Sequence, residues 1–249
     1  MNIDGLSINY EKAATPENKL AVLLPGYLDS KDYPHLTTLA QDLRQIGYDT
    51  IRFDPTGTWE SEGETSDFCI TTYLGDLEEA ISYATAENGK DYADITLAGH
   101  SLGGQVGLIY AGQHPEITAL VCIMSPLQIV NSAFTTSTYK KWKKDGLRIS
   151  KRDLPTDPDQ FRLFEVPYSF AEDRVRYEVA TLAKQYKNKL LVIVGEGDIV
   201  ITPEDGRQIY DTANEPKVLK SIPKIGHDYR HKPEEIREVN APIIDFLSK

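Results

Sequence analysis

Residues 99–104 read Gly-His-Ser-Leu-Gly-Gly, which places Ser101 in a Gly-x-Ser-x-Gly pattern. Glycines at 99 and 103 allow a strand to turn sharply into a helix, so that the serine hydroxyl projects from the end of a sheet. The stretch before it, Asp94 to Ala98, is short, apolar and partly β-branched, as a buried parallel strand is. The stretch after it, Leu102 to Gln113, sets Val106, Ile109 and Tyr110 at helical spacing. The pattern therefore predicts strand, tight turn and helix, with Ser101 at the turn.

A serine hydroxyl is a weak nucleophile at neutral pH and needs a base within reach, oriented by a third group. In this arrangement the partners follow in the order serine, acid, histidine. Past the apolar run Leu190 to Val194 comes Gly195-Glu196-Gly197-Asp198, and past the run ending at Ile222 comes Pro223-Lys224-Ile225-Gly226-His227. Both loops fall at strand ends, where open parallel sheets gather their sites. Asp198 is the expected acid and His227 the expected base. Glu196 is the nearest competing acid, and Gly-Asp is turn chemistry in any protein. Among the five histidines the rival is His231, one helical turn past His227. His35 and His114 sit at helix ends, and His100 flanks the serine on the wrong side for a base. His227, His231 and an acid would make a weak metal pattern, with nothing else in the chain to support it. No metal or organic cofactor is expected. An oxyanion needs preorganised donors, for which the backbone N–H groups of Leu102 and Tyr27 are the candidates. Tyr27 lies in the loop Pro25-Gly26-Tyr27-Leu28-Asp29-Ser30 after an apolar run.

The elements that must hold these residues alternate between strand-like and helix-like runs, the signature of a mostly parallel sheet covered on both faces. Strands are expected over Leu20 to Leu24, Thr50 to Phe53, Asp94 to Ala98, Ala119 to Met124, Leu190 to Val194 and Val218 to Ile222, with Leu6 to Lys12 as an edge strand. Helical stripes run through Leu36, Leu39, Leu43 and Ile46; Leu74, Leu77, Ile81 and Ala84; and Ile236, Val239, Ile243 and Phe246. Thr202-Pro203-Glu204-Asp205 reads as a capped helix start. One span breaks the rhythm: roughly sixty residues, Pro126 to Lys187, separate two strands. Residues 131–173 of it are expected to form an inserted lid over the carboxyl ends of the strands. A helix with Val175, Val179, Leu182 and Tyr186 on one face leads back to the sheet. Trp142, Tyr168 and Phe170 are candidates for substrate contact, with Phe161 and Phe164 as further aromatic wall residues.

With 249 residues, 40% of them hydrophobic and 26% charged, the chain suits one large globular domain. No apolar run is long enough to span a membrane. Met1 to Gly5 lacks a secretion pattern, and Cys69 and Cys122 are the two cysteines, so a cytoplasmic setting without a disulfide is expected. A net charge of −11 argues against nucleic acid and anionic membranes as partners. A small molecule, bound by a monomer or homodimer, is the expected partner. Lys140, Lys141, Lys143, Lys144, Arg148, Lys151 and Arg152 run against the acidic trend, opposed only by Asp145. This cluster reads as a solvated face; a positive rim drawing anionic substrates is the alternative.

Together these stretches resemble the α/β-hydrolase fold superfamily over essentially the whole chain. The matching pieces are Leu24-Pro25-Gly26-Tyr27, Asp54-Pro55-Thr56-Gly57 with Ser61 and Gly63, Gly99 to Gly104, Gly195 to Asp198, and Gly226-His227. Pro25 departs from the pattern, which commonly has histidine there. Trp142 to Gly146, Pro167 to Phe170 with Glu172 and Asp173, and Gly226 to Arg230 are similar to small bacterial carboxylesterases of the cinnamoyl or feruloyl esterase type. That resemblance implies a short lid between the sixth and seventh strands and hydrolysis of a carboxylic ester, of short or aromatic acyl type, through an acyl-enzyme. Acyl transfer and aminopeptidase-like amide hydrolysis use the same residues, and a non-catalytic ligand receptor is the reading from another class.

Overall fold

The computed structural model describes residues 1–128 and 136–249. The first half of the chain lays down β1 (Asn2–Ile3), β2 (Leu6–Glu11), β3 (Lys19–Leu24), α1 (Pro34–Gln45), β4 (Tyr48–Phe53), α2 (Ile70–Asn88), β5 (Asp94–His100), α3 (Leu102–Ala111) and β6 (Ala119–Ile123). After an insertion, β9 (Lys189–Gly195), α7 (Pro203–Thr212), β10 (Lys217–Ile222) and α8 (Pro233–Leu247) complete it. The strands form one sheet in the order β1-β2-β4-β3-β5-β6-β9-β10. Every pairing from β4 to β10 is parallel, while β2 runs antiparallel to β4 and β1 to β2.

Burial on both faces explains why these strands read as continuous apolar runs. Leu20 to Leu24 of β3 are all fully buried. Val22 and Leu24 pack with Leu97, Cys122 and Val192 under α2 and α3. Ala21 and Leu23 face the opposite side with Val121, Ile193 and the stripes Leu36–Leu39–Leu43 of α1 and Ile236–Val239–Ile243 of α8.

Three local expectations are corrected. Leu6 to Lys12 is not the sheet's edge, because Asp4 and Gly5 adopt positive φ of 44° and 96° and fold β1 back as a hairpin partner. In α2 the buried stripe is Tyr73, Leu77, Ala80 and Ala84, rotated away from Leu74 and Ile81. The helix expected from Val175 is broken into α5 (Ser169–Arg174) and α6 (Val179–Gln185), leaving Val175 52% exposed between them.

The insertion falls between β6 and β9, the sixth and seventh strands of the main sheet. The expected lid start, residues 131–135, lies outside the described residues. From Thr136 onward come α4 (Ser137–Asp145), the antiparallel pair β7 (Leu147–Leu154) and β8 (Asp157–Pro167), then α5. The hairpin was not foreseen as strands. Its alternation is two-sided: Phe164 and Val166 are buried, while Ile149 and Leu163 on the other face are 63% and 62% exposed.

Candidate active site

Ser101 sits between β5 and α3 with φ 53° and ψ −117°, a conformation that L-residues seldom adopt. Close backbone packing enforces it. A Cβ on Gly103 would lie 2.1 Å from the Leu24 carbonyl oxygen, and one on Gly99 would lie 2.3 Å from the Gly103 carbonyl carbon. The turn is therefore possible only where both positions lack side chains. The Ser101 N–H donates to the Ile123 carbonyl at 2.9 Å, which ties the turn to β6.

The acid and histidine loops are also joined backbone to backbone. Gly197 N–H donates to the Ile225 carbonyl at 2.9 Å and Glu196 N–H to that of Ile222 at 3.0 Å. A Cβ on Gly195 would come within 2.4 Å of the Ile225 oxygen. This approach brings Asp198 Oδ2 to 2.7 Å from His227 Nδ1, and His227 Nε2 lies 3.0 Å from Ser101 Oγ. The other Asp198 oxygen accepts from Val200 and Ile201 N–H at 2.8 and 2.9 Å. The carboxylate is thus fixed on both oxygens and fully buried. Such a chain orients the imidazole to take a proton from the serine.

The rivals are occupied elsewhere. Glu196 is bound by Arg207 at 2.7 Å and by the Ser221 hydroxyl. His231 Nε2 pairs with Asp153 at 2.6 Å. His100 is buried with its ring centroid 4.7 Å from that of His227, and burial lowers its pKa. Asp29, His35 and His100 converge closely enough to share a cation. However, the Arg230 guanidinium already donates to Asp29 at 2.6 Å, and its positive charge opposes a metal there.

Tyr27 and Leu102 both line the cavity at Ser101. Neither N–H finds an acceptor among the described residues. The Tyr27 carbonyl is gripped by Arg152 through Nε at 3.0 Å and Nη2 at 2.6 Å, and the Pro25 carbonyl accepts from the buried Tyr73 hydroxyl at 2.9 Å. These three bonds set the peptide planes of the loop at Pro25 and Tyr27. Arg230 adds a further support that residue types alone did not reveal. It donates to Asp29, to Asp153 at 3.0 Å and to Asp228 at 2.9 Å, joining its own loop to the Asp29 loop and to β7 at one point. Burial works to neutralise Asp29, but the Arg230 charge overcomes this and holds its carboxyl well below the ordinary range. Only the adjacency of Arg230 to His227 in sequence hinted at such a role.

The cavity over Ser101 is about 510 Å³, ample for a small organic ligand. Trp142 and Phe170 stand in its wall. Trp142 is anchored by its indole N–H to the Val166 carbonyl at 3.0 Å, and Phe170 packs on Tyr27 with centroids 5.1 Å apart. Tyr168 is not in that wall; it packs edge-on against Trp142, 5.8 Å between centroids. Phe164 lies under the hairpin against Trp59, and Phe161 beneath Lys151. The basic cluster divides: Lys141 pairs with Asp145, whereas Arg148, Lys151 and Arg152 turn to the cavity.

The sequence and the fold are similar to those of other proteins. Uncharacterized hydrolase YugF of Bacillus subtilis is 26% identical across 98% of this chain and 96% of its own length. The mitochondrial palmitoyl-protein thioesterase ABHD10 of Rattus norvegicus is 22% identical across 94% of this chain and 76% of its own. Est1E from Butyrivibrio proteoclasticus, solved with ferulic acid bound, superposes over the full length of both chains with a TM-score of 0.76 at 21% identity. Residues 15–234 match the family described as serine aminopeptidase, S33, and the chain belongs to that family, with the α/β-hydrolase fold.

Proposed function

We propose that this protein is a serine hydrolase that cleaves small carboxylic esters through an acyl-enzyme intermediate. The reading rests on one observation: the continuous hydrogen-bond chain from Ser101 through His227 to Asp198 opens onto a cavity edged by two unclaimed N–H donors. Ser101 Oγ attacks the ester carbonyl while His227 Nε2 takes its proton. Asp198 keeps the Nδ1 proton in place and offsets the imidazolium charge. The Tyr27 and Leu102 N–H groups receive the oxyanion, Leu102 with the added support of the α3 dipole. His227 then protonates the leaving alcohol, and a water activated by the same imidazole releases the acid. The described part of the insertion, residues 136–173, acts as a lid, with Trp142 and Phe170 forming an apolar wall for a short or aromatic acyl group.

Esters are favoured over aminoacyl amides by charge. An aminopeptidase needs a carboxylate to hold the substrate ammonium, yet the two carboxylates in the cavity wall, Asp29 and Asp228, are both bound by Arg230. The names of the relatives point the same way, to thioesters for the rat protein and to a ferulic acid ligand for Est1E. Ser101→Ala is expected to lower kcat/KM on short acyl and hydroxycinnamate esters by about 10⁴-fold or more, with the thermal unfolding midpoint retained. A serine-directed phosphonate should label Ser101 of the parent. Parent-like turnover by the alanine variant overturns the reading.

A further inference from the structure

The chain carries a net charge of −11, but the cavity wall inverts that balance, with five cationic side chains against two carboxylates. Arg230 neutralises both carboxylates, and Arg152 is spent on the Tyr27 carbonyl. Arg148, Lys151 and Arg174 remain, and among the described residues none of them forms an ion pair with a carboxylate. Arg148 lies over the Trp142 ring and Lys151 over that of Phe161.

Arg174 is the most telling. It is partly buried at the end of α5, where its Nε donates to Gln105 Oε1 at 2.8 Å. Gln105 is one helical turn past Ser101, and its amide is oriented by donating to the Pro126 carbonyl at 3.3 Å. The adjacent Asp173 does not serve as counter-ion. It accepts instead from Thr71 N–H at 3.0 Å and the Thr71 hydroxyl at 2.6 Å, with Arg176 beside it. Lacking such an anion, Arg174 is pulled by burial down to about 10 despite contact with the Tyr139 hydroxyl. A guanidinium drawn out of water without a counter-charge is costly, and its planar fork matches a carboxylate.

We propose that the cavity takes a small ester bearing a second, negatively charged group, a carboxylate, which Arg174 receives while Arg148 and Lys151 guide it at the rim. This inference rests on the ester-hydrolase reading and assigns its substrate class. The anion completes the charge of Arg174 and fixes the distance from that group to the scissile carbonyl.

The test compares the monomethyl esters of glutaric and adipic acid with methyl pentanoate and methyl hexanoate. A second arm places the carboxylate on the alcohol side, as the butyryl ester of 3-hydroxypropanoate against propyl butyrate. In one arm the charged ester should exceed its neutral partner in kcat/KM by roughly 10- to 100-fold, mostly through KM, and lose that advantage as salt rises. The ratio should collapse toward unity in Arg174→Gln and be partly kept in Arg174→Lys; taking the ratio within each variant cancels any loss common to both esters. Free glutarate should inhibit the parent enzyme more strongly than glutaramide, a comparison that needs no variant. Ratios within twofold of unity in both arms, or a ratio indifferent to Arg174, overturn the inference. Failure of the hydrolase reading looks different: no neutral ester is turned over and the phosphonate leaves Ser101 unlabelled.

Discussion

At the carboxyl edge of the sheet, the loops of Ser101, Asp198 and His227 are held by backbone meeting backbone; in the insertion, the β7–β8 hairpin is tied to the rest of the molecule by side chains. Gly103 against Leu24 and Gly195 against Ile225 leave no room for a Cβ, so the edge has essentially one arrangement. The insertion depends on reaches across long stretches of chain. Arg230 meets Asp153 from 77 residues away, and Arg152 meets the Tyr27 carbonyl from 125. The proposed proton relay, which would have to align to within a few tenths of an ångström, sits on the first kind of support. A cover that must fit a particular substrate is free to use the second, because side-chain contacts can be exchanged without moving the sheet.

Several changes would break or sharpen this contrast. The largest effect belongs to Asp198→Asn, which should cost about 10³- to 10⁴-fold in kcat, while Glu196→Gln stays within about twofold. Equal losses in the two variants, measured on one ester, would show that the acid is misassigned. Arg230→Met comes next, leaving Asp29 buried beside a missing partner. It should cost about 3–5 kcal/mol in urea unfolding at pH 7. The sign of its pH dependence follows from Asp29. The folded-state pKa is depressed, so the pair's contribution is present above the ordinary value of 3.8 and disappears as pH falls through and below it. The gap between parent and variant should therefore hold down to about pH 4 and narrow only below the ordinary value of 3.8, and a gap that widened there would refute the pairing.

Gly103→Ala is expected to be milder in stability, about 1–3 kcal/mol. By displacing the serine turn, it should nonetheless lower kcat by about 10²-fold. Retention of full activity would mean that the turn tolerates the Cβ, contrary to the 2.1 Å approach to Leu24. The smallest change is Leu163→Ser on the outward face of the hairpin. At 62% exposure it should shift stability by no more than about 0.5 kcal/mol, read by thermal unfolding. A large loss would reveal that this face is covered.

Legibility followed the same division. The parallel strands could be read from their unbroken apolar runs, and the three hydrogen-bonded residues were named from turn glycines and chain order. The hairpin was missed because Pro155 and Pro158 and a mostly exposed face disguise its alternation. In α2 the expected Leu77 and Ala84 are buried, but Tyr73 and Ala80, not the larger aliphatics Leu74 and Ile81, complete the buried stripe. Asp4-Gly5 is hairpin chemistry, but a first strand of two residues, Asn2–Ile3, is too short to show an alternation.

By itself the amino-acid order determined the βα alternation, the site of the sharp turn and which hydroxyl, imidazole and carboxylate stand at strand ends. These follow from periodicity and from glycine's missing side chain, both of which act over a few neighbouring residues. Tertiary structure alone decided that Arg230 gathers Asp29, Asp153 and Asp228, that Arg152 aims the Tyr27 peptide, and that Arg174 faces the cavity without a carboxylate. Charges pair by distance in space, and separation along the chain carries no record of that distance.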